Sequence, residues 1–596
     1  MIYKTFCWII CIWSLFLACQ PKQPPVFQLL SPGHTGIEFT NTIIENDSLN
    51  VIDYAYLYNG GGVGVGDVNN DGLDDIFFAG NHVSSRLYLN QGDLQFKDVT
   101  ETSNITTDRW ATGVAMVDIN QDSWLDIYVC VASKFDSTLS RNYFFINQGV
   151  DDQGIPQFYD RAAEFNLDDS GYSTQAAFFD YDLDGDLDMY LLTNGMESFN
   201  HNLAREKNTN GEGISTDKLY RNDSDSSSTN SITFSDVSQE AGILIEGYGL
   251  GIGINDFNLD GYPDVYAAND FITNDLMWIN NGDGTFTDRA GEYLKHHSHN
   301  GMGTDLADFN NDGLVDIVVL DMLPEDNYRQ KTMMGKPNPD RFQLNTSLDY
   351  TPQYVRNTLQ LHNGFTPSGQ PSFSEIGQLA GVHSTDWSWS ALFADYDNDG
   401  FRDLLITNGY VKDVTNLDFI TYLSASSQFG TEAAKHDKSL ALTEMLKEAK
   451  VHNYVFRNNG SDTASALFFS DMSEAWGLRE ASFTNGTAFA DLDQDGDLDL
   501  VMNNINGNAF IYKNQIPQDS NHRFLRVKLL GPPHNPQGFQ ATVTLFYGNQ
   551  TQYHYQMPYR GYKSTVESDI HFGLGSISSV DSILVQWPDS LVQWLY

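Results

Sequence analysis

Apolar and polar residues alternate along most of this chain in short runs; helical spacing is read at Leu440, Leu442, Met445 and Leu446 within Thr431–Lys450, where a small helical cap is expected. Gly64-Val-Gly before Asp67 and Ile76-Phe-Phe78 after Asp75 are typical: two strand-like runs joined by a tight polar turn. The turn is nine residues long and recurs seven times, beginning at Asp67, Asp118, Asp180, Asp256, Asp308, Asp395 and Asp491. Self-similarity at intervals of 51 to 96 residues predicts a repeat architecture of strand–loop–strand units.

The loop keeps oxygen at four positions besides a variable one. Its first position is the aspartate just named; the third is Asn69, Asn120, Asp182, Asn258, Asn310, Asp397 or Asp493. The fifth is Asp71, Asp122, Asp184, Asp260, Asp312, Asp399 or Asp495, and the ninth Asp75, Asp126, Asp188, Asp264, Asp316, Asp403 or Asp499. The seventh varies (Leu73, Trp124, Asp186, Tyr262, Leu314, Phe401, Asp497) and is expected to offer its backbone carbonyl. Ca²⁺ takes six to eight oxygens at about 2.3–2.6 Å, and alternate carboxylates of a tight loop supply them. Up to seven Ca²⁺ ions are therefore expected, structural in role, with occupancy graded because Asn replaces Asp at the third position in copies 1, 2, 4 and 5. Glycine at the sixth position suits a positive φ; the second copy has Ser123 there, so a weaker or strained site is expected.

Each unit continues with two tagged segments. One ends in Asn (Asn90, Asn147, Asn222, Asn280, Asn458), and the other carries Phe-x-Asp or Phe-x-Glu, from Phe96–Asp98 to Phe469–Asp471. With loops and tags together, the chain resembles the FG-GAP or VCBS repeat proteins, whose calcium loops join two strands of a propeller blade as in the integrin α-subunit head. The resemblance implies an all-β fold, a seven-bladed β-propeller over residues 37–518. The seventh unit lacks its last tag while Phe39-Thr-Asn41 stands unpaired ahead of the first loop, so the N-terminal strand is expected to complete the last blade. Insertions at 194–217, 322–355 and 408–451 all fall between the second and third strands of a blade, on the face opposite the loops.

Residues 519–596 leave the repeat. Gly538-Phe-Gln-Ala541, Tyr559-Arg-Gly-Tyr562, His571-Phe-Gly-Leu-Gly575 and Val585-Gln-Trp-Pro-Asp589 resemble the ASPIC/UnbV domain. With that tail the chain is similar to the group containing cartilage acidic protein and many bacterial lipoproteins. At the other end, the apolar run in residues 1–18 reads as a signal peptide, and Leu17-Ala-Cys19 before a Pro-rich stretch looks like a lipoprotein signal with Cys19 lipidated and 19–36 as tether. The expected location is extracytoplasmic, lipid-anchored in a bacterial cell envelope, periplasmic or surface-exposed.

A formal charge of −46 excludes an ordinary nucleic-acid binder, while 41% hydrophobic content excludes an acidic disordered chain. Cys130 is the one cysteine outside the N-terminal segment, so no disulfide framework exists. No Gly-x-Ser-x-Gly elbow or His-Glu-x-x-His helix appears, and the His296-His-Ser-His299 cluster reads as a polar turn. Aromatic and basic residues in the fifth unit's insertion (Tyr328, Lys336, Arg341, Phe342, Tyr350, Tyr354, Arg356) make the insertion face the expected contact for a glycan or protein partner. The expected function is binding or adhesion; a polysaccharide hydrolase or lyase with a site at the insert-covered mouth, and a structural or assembly factor of the envelope, are the alternatives.

Overall fold

The computed structural model describes residues 24–132, 140–195, 204–224, 232–333, 339–427, 439–460, 468–517 and 519–596, with side chains of 423–427 and 439 left aside. The signal peptide, Cys19, Lys336 and parts of all three insertions lie outside the described residues. Seven four-stranded antiparallel sheets follow one another along the chain. The first has Val63–Gly66, Asp75–Phe78, Arg86–Asn90 and Phe96–Asp98 in sequential order. The first strands of the next six are Ala111–Val117, Ser173–Phe179, Gly249–Asn255, Thr304–Ala307, Ser388–Ala394 and Thr484–Ala490.

These first strands are buried along nearly their whole length and rich in small residues, as a crowded axis requires. Each neighbours the first strand of the next sheet, and that of the seventh returns to Val63–Gly66. The ring is closed: a seven-bladed β-propeller with every nine-residue loop at one end and the described residues of the insertions at the other.

Closure differs in one respect from the sequence expectation. The fourth strand of blade 7 is Phe27–Leu29, paired with Phe510–Asn514 in the register Phe27 to Asn514 and Leu29 to Tyr512. Phe39 instead stacks on Phe78 at 5.0 Å, and Thr40 and Asn41 form only single bridges, to Asn508 and Ile505. The physical reason is burial: Phe27 fills the slot between Tyr396 and Trp476, at 5.8 and 6.4 Å, that Phe tags fill in other blades. The closing strand thus lies inside the stretch expected to be a tether.

The tail forms a four-stranded sheet ordered Gln550–Tyr555, Thr542–Tyr547, Ser582–Gln586, Val592–Leu595, beside a pair of Arg523–Val527 with Ile570–Gly575. Val543, Leu545, Phe572 and Val585 make its core. It sits over the loop end of the propeller. Its segment 556–567 runs into the central channel, where Thr565 bridges Gly64 of blade 1 and Gly561 bridges Thr304 of blade 5. Tyr559 donates to the Met116 carbonyl at 3.1 Å, and the Tyr562 amide donates to Ser390 Oγ at 3.1 Å. No helix among the described residues is long and apolar enough to cross a membrane.

Candidate functional site

All seven loops share one backbone path. The fourth position is left-handed in every copy, from φ 56° at Leu259 and Asn398 to 61° at Gln121, and so is the sixth, from 71° at Ser123 to 101° at Gly185. The first aspartate fixes this path by accepting backbone N–H groups: Gly72 donates to Asp67 Oδ2 at 2.8 Å and Asp71 to Oδ1 at 3.2 Å. Ser123 makes the same bond to Asp118 at 2.8 Å, so the second loop keeps its shape in spite of the missing glycine.

The ninth aspartate faces inward. Asp75 accepts from the Val68 and Asn90 amides at 3.0 and 2.8 Å, and the amide of the tag residue is bound the same way, at 2.8 Å, in every blade. Burial pushes these carboxyls well above the usual range. The tag side chain then reaches the neighbouring blade: Asn90 donates to the Leu492 carbonyl at 2.9 Å, Asn147 to Val68 at 2.8 Å, Asn458 to Phe309 at 2.8 Å and Asn514 to Tyr396 at 2.9 Å. In blade 5, where no Asn tag stands, His362 occupies the position and approaches the Phe257 carbonyl at 3.4 Å. The tags are visible in the sequence; their stitching role is not, because it needs the neighbouring loop.

The third position divides the loops in two. In blades 1, 2, 4 and 5 the Asn amide donates to the fifth-position carboxylate at 2.8–2.9 Å, and its oxygen accepts that residue's N–H at 3.0–3.1 Å. These loops satisfy themselves. In blades 3, 6 and 7 three carboxylates converge with ligand oxygens within 4.8 Å: Asp180, Asp182 and Asp188; Asp395, Asp397 and Asp399; Asp491, Asp493 and Asp495. Oδ1 of Asp182, Asp397, Asp491 and Asp493 is buried there without a hydrogen-bond partner. Burial, with like-charged neighbours, raises Asp180 and Asp186 to about 7 and Asp399 to about 6. Crowded carboxylates with orphaned oxygens are the donor set of a hard divalent cation, and these three loops fit one.

The tail sits directly on those three. Gln540 bonds both the N–H and the carbonyl of Asp180, each at 2.8 Å, and Glu567 accepts the Asp491 amide at 3.1 Å. His571 meets Asn398 at 2.6 Å, and a Cβ on Gly573 would lie 1.9 Å from Asp395 Oδ2. Only glycine allows that approach.

At the insertion end, a cavity of about 260 Å³ lies between Arg205 and Lys207 of the blade 3 insertion and Tyr350 and Thr351 of the blade 5 insertion, floored by Glu246, Asp275 and Asp288 of blade 4. Arg205 pairs with Glu246 at 3.1 Å and donates to Tyr248 at 2.8 Å, while the Lys207 ammonium stands 5.2 Å over the Tyr350 ring. Of the basic and aromatic residues singled out in the blade 5 insertion, Tyr350 alone lines the cavity. Arg356 is held by Glu375 and His296, and Tyr328, Phe342 and Tyr354 are exposed. The histidine cluster is split: His296 meets Glu375 at 3.1 Å, buried His297 lies 3.5 Å from Asp275, and His299 meets Asn300. Cys130 is buried, and burial raises its thiol.

Fold and loops together define a seven-bladed propeller with acidic blade loops and a β tail docked on them. Residues 67–129 and 256–319 match the FG-GAP-like repeat, and 531–596 match the ASPIC and UnbV domain. The chain carries both, and is similar to human cartilage acidic protein 1, 26% identical over 363 residues that make 59% of this chain and 43% of the human protein. It spans less than half the length of the curated relatives it matches. Among solved structures, the Vibrio cholerae biofilm matrix protein Bap1 aligns with 91% of this chain and 99% of its own at 9% identity and TM-score 0.37. An Agrocybe aegerita lectin that recognises non-reducing terminal N-acetylglucosamine covers 70% and 83% at 14% identity and TM-score 0.33. At these scores neither likeness bears on function.

Proposed function

We propose that the protein is a calcium-stabilised binding propeller, anchored outside the cytoplasm through Cys19, that holds a glycan or protein partner on its insertion face. The observation that carries this reading is the asymmetry of the two ends. The tail covers loops and fills the channel, whereas the insertion end presents a cavity of about 260 Å³ between two insertions. Its lining mixes two basic side chains, Arg205 and Lys207, with carboxylates and amide groups, which suits a hydroxyl-rich ligand. Calcium enters as a staple: it would be held by the carboxylates of the loops and add its binding energy to folding.

Convergence of Arg205, Glu246 and Tyr248 beside the cavity favours a hydrolase or lyase instead. Tyr248 is fully buried behind Arg205, so its hydroxyl meets no ligand in the cavity, and binding is the better reading. Calorimetric titration of the calcium-loaded protein with neutral and acidic oligosaccharides tests it. Saturable binding that weakens about tenfold in Lys207→Ala is expected, the effect of one lost charged hydrogen bond. Binding indifferent to Lys207, or the appearance of new reducing ends or unsaturated products, overturns it.

A further inference from the structure

The residue just before the third-strand tag separates the blades into the same two groups as the third loop position. It is Arg221, Arg457 and Lys513 in blades 3, 6 and 7, where the third position is Asp, and Leu89, Ile146, Ile279 and Leu361 in blades 1, 2, 4 and 5, where it is Asn. Seven of seven blades obey the pairing. The strand register explains the contact, because this residue and the loop flank the same end of the second strand.

Contacts in blades 6 and 7 show what the cation does. Arg457 donates from Nε to Asp397 Oδ2 at 2.6 Å and from Nη2 to Asp399 Oδ2 at 2.7 Å. Lys513 pairs with Oδ2 of Asp493 and, at 3.2 Å, with Oδ2 of Asp495. In both loops the basic side chain takes the Oδ2 atoms, while Oδ1 of Asp397 and Asp493 is left buried and unpartnered. Asp397 is 8% exposed and Asp491, whose Oδ1 is likewise orphaned, 3%. In blade 3 Arg221 stands at the same register but bonds Asp223 at 2.7 Å, and Asp182 Oδ1 is again orphaned.

We infer that the loops are sorted into two classes, with divalent cations taken by blades 3, 6 and 7, and that Arg457, Lys513 and Arg221 are positioning residues for those ions. Arg457 and Lys513 hold the outer oxygens of the third and fifth carboxylates and so turn the inner oxygens toward the ion, as partners outside the ligand set do in other metal sites, while Arg221 holds the same register in blade 3 with its guanidinium on Asp223. It also offsets repulsion among four or five clustered carboxylates, which an Asn-type loop with fewer charges does not need. The Asn-type loops close on themselves and act as turns. This deepens the calcium reading above and rests on it.

Calcium titration of the full chain by calorimetry, with terbium luminescence as a second readout, tests the sorting. Three tight sites per chain are expected. Arg457→Met and Lys513→Met should each weaken one of them by about 10- to 100-fold, with Arg457→Lys recovering most of the loss. Melting in EDTA checks that the variants fold. Asn69→Asp together with Leu89→Arg should add a fourth site to blade 1, more tightly than Asn69→Asp alone. Unchanged or tighter binding in Arg457→Met and Lys513→Met overturns the positioning role while leaving the calcium reading intact, because a competing cation strengthens the site when removed. Seven equivalent sites overturn the sorting, and a wild-type chain that binds no calcium overturns both.

Discussion

The two ends of the channel are built on opposite principles. At the loop end, one nine-residue pattern repeats seven times with the same backbone path, and the tail lies against it through Gln540, Glu567, His571 and Gly573. At the insertion end nothing repeats: among the described residues, Met322 of the blade 5 insertion and Tyr410, Val411 and Leu446 of the blade 6 insertion share a core with residues 43–58, whose Tyr54, Tyr56, Leu57 and Tyr58 pack there with Trp387. Repetition makes a surface that one partner can fit at several places at once, and here that partner is the chain's own tail. The irregular end keeps the cavity.

The sharpest break of this asymmetry is at Arg560. Its guanidinium, buried in the channel, donates to both oxygens of Asp305 at 2.8 and 2.6 Å and to the Phe393 carbonyl at 2.7 Å. Arg560→Met strands a buried carboxylate, which should cost about 3–5 kcal/mol. Thermal melting and limited proteolysis should show the tail released before the propeller unfolds, and Asp305→Asn added to Arg560→Met should recover part of the loss.

An effect of distinctive pH dependence is expected further up the channel. Lys563 donates to the carbonyls of Asn59 and Gly60 at 3.3 and 3.2 Å and is 3% exposed. Burial pulls its pKa down to about 7, with Cys130 opposing. The native state therefore favours the neutral amine. Between the ordinary lysine range near 10.5 and pH 7 the unfolded chain binds the proton and the folded chain does not, so stability falls as pH drops through that window and is level below it. The span is at most about 5 kcal/mol by the pKa difference. Lys563→Met should remove this slope: the difference in melting temperature between wild type and variant should shrink from pH 7 to pH 10, with the variant the more stable at pH 7.

How much of this was legible in the sequence follows the same division. Loops, tags and the tail were visible because each is either repeated or carried by a resemblance, and the insertions because they interrupt the repeat. The left-handed fourth position was not, since Leu183 and Leu259 adopt it as readily as Asn70, held there by the aspartate at position 1 accepting the N–H groups beyond. Closure by Phe27 in place of Phe39 was missed because both are Phe in apolar surroundings and only the pairing with Asn514 decides. Entry of Tyr559-Arg-Gly-Tyr562 into the channel had no local signal: their partners, Asp305, Met116 and Ser390, come from three different blades. The cavity was missed for the same reason, being made where two insertions meet.

The loop end makes one further claim open to a small, clean test. If repetition there is enforced by backbone geometry, the copy that breaks the pattern should bear a measurable cost even though its hydrogen bonds are intact. Ser123 holds φ 71°, where its six counterparts are glycines, and its N–H still reaches Asp118 Oδ2 at 2.8 Å. A side chain in the left-handed region costs about 1–2 kcal/mol, partly returned when the replacement glycine gains freedom in the unfolded chain. Ser123→Gly should therefore stabilise the protein by about 0.5–1 kcal/mol, a rise in melting temperature of roughly half a degree for a chain this long, without altering calcium stoichiometry. The exposed glycine positions Gly72 and Gly261 provide the inverse: Gly72→Ser or Gly261→Ser should lower it by a similar amount, because nothing lies within 4 Å of a Cβ at either and the cost is backbone strain alone. A Ser123→Gly chain that melts at or below wild type would mean that the second loop has relaxed around its serine, and that the regular loop path is held by the aspartates and owes little to glycine.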